Sequence, residues 1–186
     1  MGNYLNPDIS TFARVVNSEI YVDKTGLIEY TNRSAKTLQS YICISRPRRF
    51  GKSIAANMLS AYYTCEYDSR ELFSNLKIAS SDSYEKHLNK YDVIFLNMQE
   101  FLSQSSNVEE MLSLLKKSVI WDLLDKYPDF RYFDETNLTR TLQDIYNKTK
   151  RPFVVIIDEW DCIFREYITD KKAQEKYLDF LRDLLK

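Results

Sequence analysis

The chain has 186 residues, of which 44% are hydrophobic and 28% charged, with a formal net charge of -1. That length suits one ordinary domain with a sizeable core, and the balance excludes both a disordered chain and a strongly basic nucleic-acid-binding surface. No apolar run approaches the roughly 18–20 residues of a membrane span, and the N-terminus lacks the charged-then-apolar pattern of an export signal.

The three cysteines, Cys43, Cys65 and Cys162, are widely spaced and show no C-x-x-C pattern for zinc or redox work. They read as reduced cytosolic thiols in or near the core. The fourteen tyrosines and ten phenylalanines are scattered rather than clustered with basic residues, so they read as core and surface bulk.

In chain order, Asp8 opens a short helical pattern with Ile9, Phe12 and Val16 on one face. Tyr21-Val22-Asp23-Lys24-Thr25 follows. Thr25 reads as the cap of a second short helix through Leu27 and Ile28, and Lys24 as a solvated charge. The apolar run Tyr41-Ile42-Cys43-Ile44 reads as a strand over 41–45, leading into Arg46-Pro47-Arg48-Arg49-Phe50-Gly51-Lys52-Ser53. A helix from Ser53 carries Ile54, Met58, Leu59 and Tyr62 at helical spacing. The polar stretch 66–90 holds a short helix around 70–76. Its His87, the only histidine, has no metal-ligand partner at helical spacing and reads as a surface residue.

Val93-Ile94-Phe95-Leu96 marks a second buried strand, with Asn97 at the entry to the next loop. Val108, Met111, Leu112, Leu115 and Val119 mark a long amphipathic helix through about Leu124, which Pro128 and Asp129 break. Leu138, Leu142 and Ile145 mark another helix. Phe153-Val154-Val155-Ile156-Ile157 is a strand that ends in Asp158-Glu159, and Tyr177, Phe180, Leu181 and Leu184 face one side of a terminal helix. Strands alternating with helices imply an α/β fold with a mainly parallel sheet covered by helices.

The chemistry concentrates in two places. A strand running into Gly-Lys-Ser and then a helix is how a chain cradles phosphates. Gly51 lets the backbone approach the anion, the Lys52 ammonium reaches the β/γ oxygens, and the Ser53 hydroxyl ligates Mg²⁺ while the helix N-terminus presents free N–H groups. The full pattern G-x-x-x-x-G-K-[ST] wants glycine where this chain has Arg46. Asp158 and Glu159 stand at the lip of a strand read as buried, where unpaired carboxylates are costly unless they hold a metal. In that reading Asp158 belongs to the Mg²⁺ shell and Glu159 polarises the attacking water. The plainer alternative is that Asp158 caps the next helix. Arg46, Arg48 and Arg49 flank the loop, either touching phosphates or orienting the loop by pairing with acids. Asp161 reads as first-turn helical charge, and Arg165 and Glu166 as the solvated face of that segment.

These three stretches, Tyr21 to Thr25, Arg46 to Ser53 and Val155 to Asp161, resemble the predicted AAA-ATPase-like family of P-loop NTPases across essentially the whole chain. Pro-Arg-Arg-Phe-Gly-Lys-Ser is specific to that group, whose own loop also lacks the first glycine. The resemblance implies a three-layer α/β/α P-loop fold with Walker A and Walker B elements, ATP and Mg²⁺ as cofactors, and hydrolase activity. Phe50, Gly51, Lys52, Ser53 and Arg49 would line the nucleotide, Ser53 and Asp158 would hold the metal, and Lys52 and Glu159 would act in catalysis. It also suggests a role for Asp23, Lys24 and Thr25 near the nucleotide base or in loop support. Trp160 stands where the group often has tyrosine.

Relatives continue into further strands, one bearing a sensor residue, and often into a restriction-endonuclease-like domain. The chain is therefore expected to be the N-terminal part, 1–186, of one such domain, with strands 41–45 and 153–157 not properly bridged or with a rearranged pairing that leaves apolar surface exposed. The expected activity is Mg-dependent ATP hydrolysis that moves a fused or partner domain or an oligomeric neighbour. The alternative is a nucleotide-binding interaction or switch module without useful turnover, since the chain offers no sensor strand and no assignable arginine finger. Nucleic acid and membrane are not supported as partners.

Overall fold

Apolar residues at helical spacing in the first half of the chain become α1 (Ser10–Val16), α2 (Gly26–Ser34) and α3 (Lys52–Tyr63). The computed structural model describes residues 2–45 and 50–185. Its backbone divides into two compact units, Asn6–Val93 and Met1–Leu5 with Ile94–Lys186.

In the first unit, α4 (Arg70–Phe73), a 3-10 turn at Lys77–Ser80 and α5 (Tyr84–His87) follow the three longer helices. The core is aromatic. Phe12 of α1 stacks on Phe73 with ring centroids 5.2 Å apart, and Tyr62 of α3 meets Phe73 edge-on at 5.4 Å. Such pairs add about 0.5–1.5 kcal/mol each beyond the area they bury. The Tyr62 and Tyr63 phenols are satisfied, as buried polar groups generally are, whereas the buried Tyr21 hydroxyl has no hydrogen-bond partner among the described residues. Tyr62 donates to the Tyr84 carbonyl at 2.8 Å, and Tyr63 donates to Asn32 Oδ1 at 2.8 Å. Burial pushes the Tyr62 phenol up to about 12, against a weaker downward pull from its Asn32 hydrogen bond.

The expected strand at 41–45 does not form; these residues take no regular structure, and Tyr41 and Ile44 are exposed at 66% and 37%. An apolar run becomes a strand only when a neighbouring strand supplies the ladder. Among the described residues the sheet consists of β1 (Asp92–Asn97) and β2 (Phe153–Asp158), a parallel pair. Both lie where the apolar runs place them. The chain is α/β, with a small sheet.

In the second unit, α6 (Met98–Ser103), α7 (Val108–Lys126), α8 (Leu138–Thr149), α9 (Cys162–Glu166) and α10 (Lys171–Leu184) surround one core. α7 packs against α6, α8 and α10. Its predicted stripe, Val108, Met111, Leu112, Leu115 and Val119, is buried throughout, as are Ile145 of α8 and Tyr177 and Phe180 of α10. Asn107, Asn137 and Asp170 cap α7, α8 and α10 by accepting hydrogen bonds from first-turn amides at 2.9–3.1 Å. Each such cap contributes about 1 kcal/mol. The Asp122 carboxylate of α7 accepts from the Tyr4 and Leu5 amides at 2.6 and 3.1 Å, fixing the N-terminal segment that bridges Ile94.

Candidate functional site

The Gly-Lys-Ser element sits where a helix begins. Gly51 is the residue ahead of α3 and adopts a left-handed backbone, φ +77° and ψ +31°, which glycine enters without steric cost. A Cβ added there would also meet Lys24 Nζ at 3.1 Å. Lys52 and Ser53 form the first turn of α3, the end of a helix whose dipole favours an anion. Ser53 is exposed and Lys52 partly so, and Phe50 stands 61% exposed beside them. Arg46, Arg48 and Arg49 lie outside the described residues.

Upstream, the Tyr21–Thr25 segment has a structural task that its sequence conceals. Thr25 precedes α2 but its side chain does not cap it. Instead the Thr25 hydroxyl donates to Asp23 Oδ1 at 2.6 Å and accepts from the Ile78 amide at 3.1 Å. Asp23 Oδ2 accepts from the Lys77 amide at 2.8 Å. Burial alone would raise the Asp23 carboxyl. The bonds from Thr25 and Lys77, with the Lys77 charge, outweigh it and hold the group below the usual carboxylate range. Lys24 is exposed, yet its ammonium donates to the Phe50 carbonyl at 3.2 Å. A cleft of about 360 Å³ opens beside this contact, walled by Val15, Tyr21, Val22, Phe50 and Ile54 among others.

The acidic element closes β2 in the second unit. Asp158 is 7% exposed, and its Oδ1 accepts from the adjacent Glu159 amide at 3.0 Å. It does not cap the following helix, which begins only at Cys162. Glu159 turns the chain with a left-handed φ of +51°. Its carboxylate accepts from Arg165 Nη2 at 2.7 Å, and the same guanidinium reaches Asp161 at 3.3 Å and Gln99 Oε1 at 3.3 Å. The hydrogen bond to Glu159 raises the Arg165 pKa further still, so the guanidinium stays charged. Below the turn, the buried Tyr177 hydroxyl donates to the Trp160 carbonyl at 2.8 Å. Burial pushes the neighbouring Cys162 thiol up to about 11, which makes it inert.

The model of the predicted AAA-ATPase family matches residues 8–186. The chain belongs to that family. The family match therefore spans the Tyr21–Thr25 segment, Gly51 to Ser53, and Asp158 to Asp161 alike. No curated protein and no solved structure matches the chain.

A predicted AAA-ATPase family implies a nucleotide and Mg²⁺ as ligands. Mg²⁺ takes hard oxygen donors and keeps several waters, needing one or two carboxylates beside substrate phosphates. In the first unit the Ser53 hydroxyl is a donor of that class and the left-handed Gly51 suits phosphate approach; in the second unit, taken alone, the Asp158 carboxylate is such a donor. His87 stacks on Tyr91 with Nδ1 2.6 Å from the Tyr91 hydroxyl, and burial lowers its pKa. Among the described residues no helix is long and apolar enough to cross a membrane.

Sequence reasoning missed two connections. The tie from Asp23 and Thr25 to Lys77 and Ile78 crosses more than fifty residues and left no local signal. Arg165, read as a solvated charge, is the partner of Glu159; its place in the short helix that follows the acidic pair is the available clue.

Proposed function

We propose that this chain is an ATP-binding P-loop domain of the AAA-like type, with a three-layer α/β/α fold, that hydrolyses ATP with Mg²⁺ in the cytoplasm. The observation that carries the reading is Gly51 in a left-handed conformation immediately ahead of Lys52 and Ser53 at the start of α3. That arrangement puts a helix N-terminus, a lysine and a serine at one turn, the groups a triphosphate chain needs. Family membership supports it over a chance tripeptide.

The roles follow from the side chains. Lys52 balances charge on the β/γ phosphates, and Ser53 and Asp158 hold the metal. Bound Mg²⁺ supplies charge neutralisation on the transferring phosphoryl group. Glu159 is the base that takes the proton of the attacking water. Turnover would be coupled to an oligomeric neighbour or to a fused or partner domain.

The ion pair between Glu159 and Arg165 favours a second reading, a nucleotide-binding switch without useful turnover. The Glu159 carboxylate is already engaged by a side chain of its own segment. A phosphate-release assay on the natural chain and on Glu159→Gln separates the two. Catalysis by Glu159 predicts that the variant loses about 10²–10⁴-fold in hydrolysis with ATP affinity unchanged. Equal loss of both removes Glu159 from the role, and binding without release in the natural chain selects the switch.

A further inference from the structure

The proposed chemistry uses neither Asp23, Lys24 nor Thr25, yet the fold fixes the two residues that flank Lys24. Asp23 is bonded to the Thr25 amide and hydroxyl and to the Lys77 amide. Thr25 is fully buried and receives the Ile78 amide. Lys24 therefore extends from an anchored stretch of backbone, and its Nζ ends 3.2 Å from the Phe50 carbonyl oxygen.

That contact sets the orientation of the peptide between Phe50 and Gly51. A trans peptide is planar, and its carbonyl and the following N–H point in opposite directions. Drawing the Phe50 carbonyl toward the Lys24 ammonium turns the Gly51 N–H the other way. In a phosphate cradle the amides must face the anion, because a carbonyl turned inward would repel phosphate oxygens. The left-handed φ of Gly51 belongs to the same turn, and Lys24 Nζ is the atom a Cβ there would meet.

We propose that Lys24 is a positioning residue for the phosphate loop: its ammonium holds the Phe50 carbonyl outward so that the Gly51 N–H is presented to the phosphate chain of a nucleotide. This rests on the reading of Gly51 to Ser53 as a phosphate cradle. It makes Asp23 and Thr25 the brace of that lysine. Because Lys24 also lines the neighbouring cleft, a direct contact to a nucleotide base is the competing role, and the ligand pair below distinguishes them.

The test is calorimetric titration of the full chain with Mg-ATP and with Mg and inorganic triphosphate, for the natural protein, Lys24→Ala and Lys24→Arg. The expected result is a loss of affinity for both ligands by the same factor in Lys24→Ala, about tenfold, as for one hydrogen bond from a charged donor. Lys24→Arg, which keeps a donor of the same charge, restores both. The unliganded melting temperature stays that of the natural chain, because Lys24 is exposed. The factor also persists at high salt, where a merely long-range attraction would be screened away. Unchanged binding in Lys24→Ala overturns the proposal. So does a loss confined to ATP, which would assign Lys24 to the base or ribose, or a loss that salt abolishes. A natural chain that binds neither ligand refutes the cradle itself, and the positioning role with it.

Discussion

Arg165 and Glu159 form a 2.7 Å ion pair across the turn that ends β2, and Glu159 makes that turn in a left-handed backbone conformation. A residue with a Cβ is strained there by roughly 1–2 kcal/mol, which glycine escapes. Glu159→Gly and Glu159→Ala delete the same carboxylate, so comparing them isolates the backbone. The glycine variant is expected to be the more stable by about 1 kcal/mol in urea unfolding. An alanine variant equal to it would remove strain from the account of this turn. Arg165→Ala should change stability by no more than about 1 kcal/mol, since the pair is partly solvated.

Gly51 makes the complementary case. Gly51→Ala places a Cβ at φ +77° and 3.1 Å from Lys24 Nζ. It should cost roughly 1–2 kcal/mol of stability. If the loop is a phosphate cradle it should also abolish the thermal shift produced by Mg-ATP. A variant as stable as the natural chain would contradict the left-handed assignment.

Asp23 gives a pH dependence with a defined sign. Its folded carboxyl is held below the usual value, so the stability it contributes is present above the unfolded pKa of about 3.9 and is lost as pH falls through the lower folded value. Asp23→Asn replaces one acceptor oxygen with a donor and costs about 1 kcal/mol at neutral pH. That deficit should shrink as pH falls below about 4. A difference between the two proteins that stays constant from pH 7 to pH 3 would show that the carboxylate charge is not what braces the segment.

Tyr177→Phe removes the hydroxyl that satisfies the Trp160 carbonyl, one residue beyond the acidic pair. Leaving that acceptor without its donor inside the core should cost about 1–3 kcal/mol by chemical denaturation. A loss below a few tenths of a kcal/mol would mean that water takes over the bond.

Long, periodic elements were legible in the sequence because their burial depends on spacing alone. The stripe from Val108 to Val119 is buried in full, and the strands at 92–97 and 153–158 fall on their apolar runs. The run at 41–45 looked equivalent, but a strand exists only through its neighbour, and no described strand pairs with it. The short helices α5, α6 and α9 span four to six residues, less than two turns, so no periodicity announces them. Asn97 shows the same limit at single-residue scale: it read as a loop entry and is the cap of α6, accepting from Gln99 and Glu100 amides. At the candidate site, the residue types at Gly51 to Ser53 and Asp158 to Glu159 were readable from their chemistry. The partners that aim them, Lys24 for the loop and Arg165 for Glu159, depend on tertiary placement.

The central claim is that α3 begins at a nucleotide's phosphates. Thermal unfolding of the natural chain and of Lys52→Ala, each with and without Mg-ATP, tests it most directly. Ligand at about a hundred times its dissociation constant should stabilise the natural chain by roughly 2.7 kcal/mol if unfolding is reversible, and the shift should vanish in Lys52→Ala. A cooperatively unfolding natural chain that Mg-ATP leaves unmoved, or an equal shift in both proteins, would contradict it.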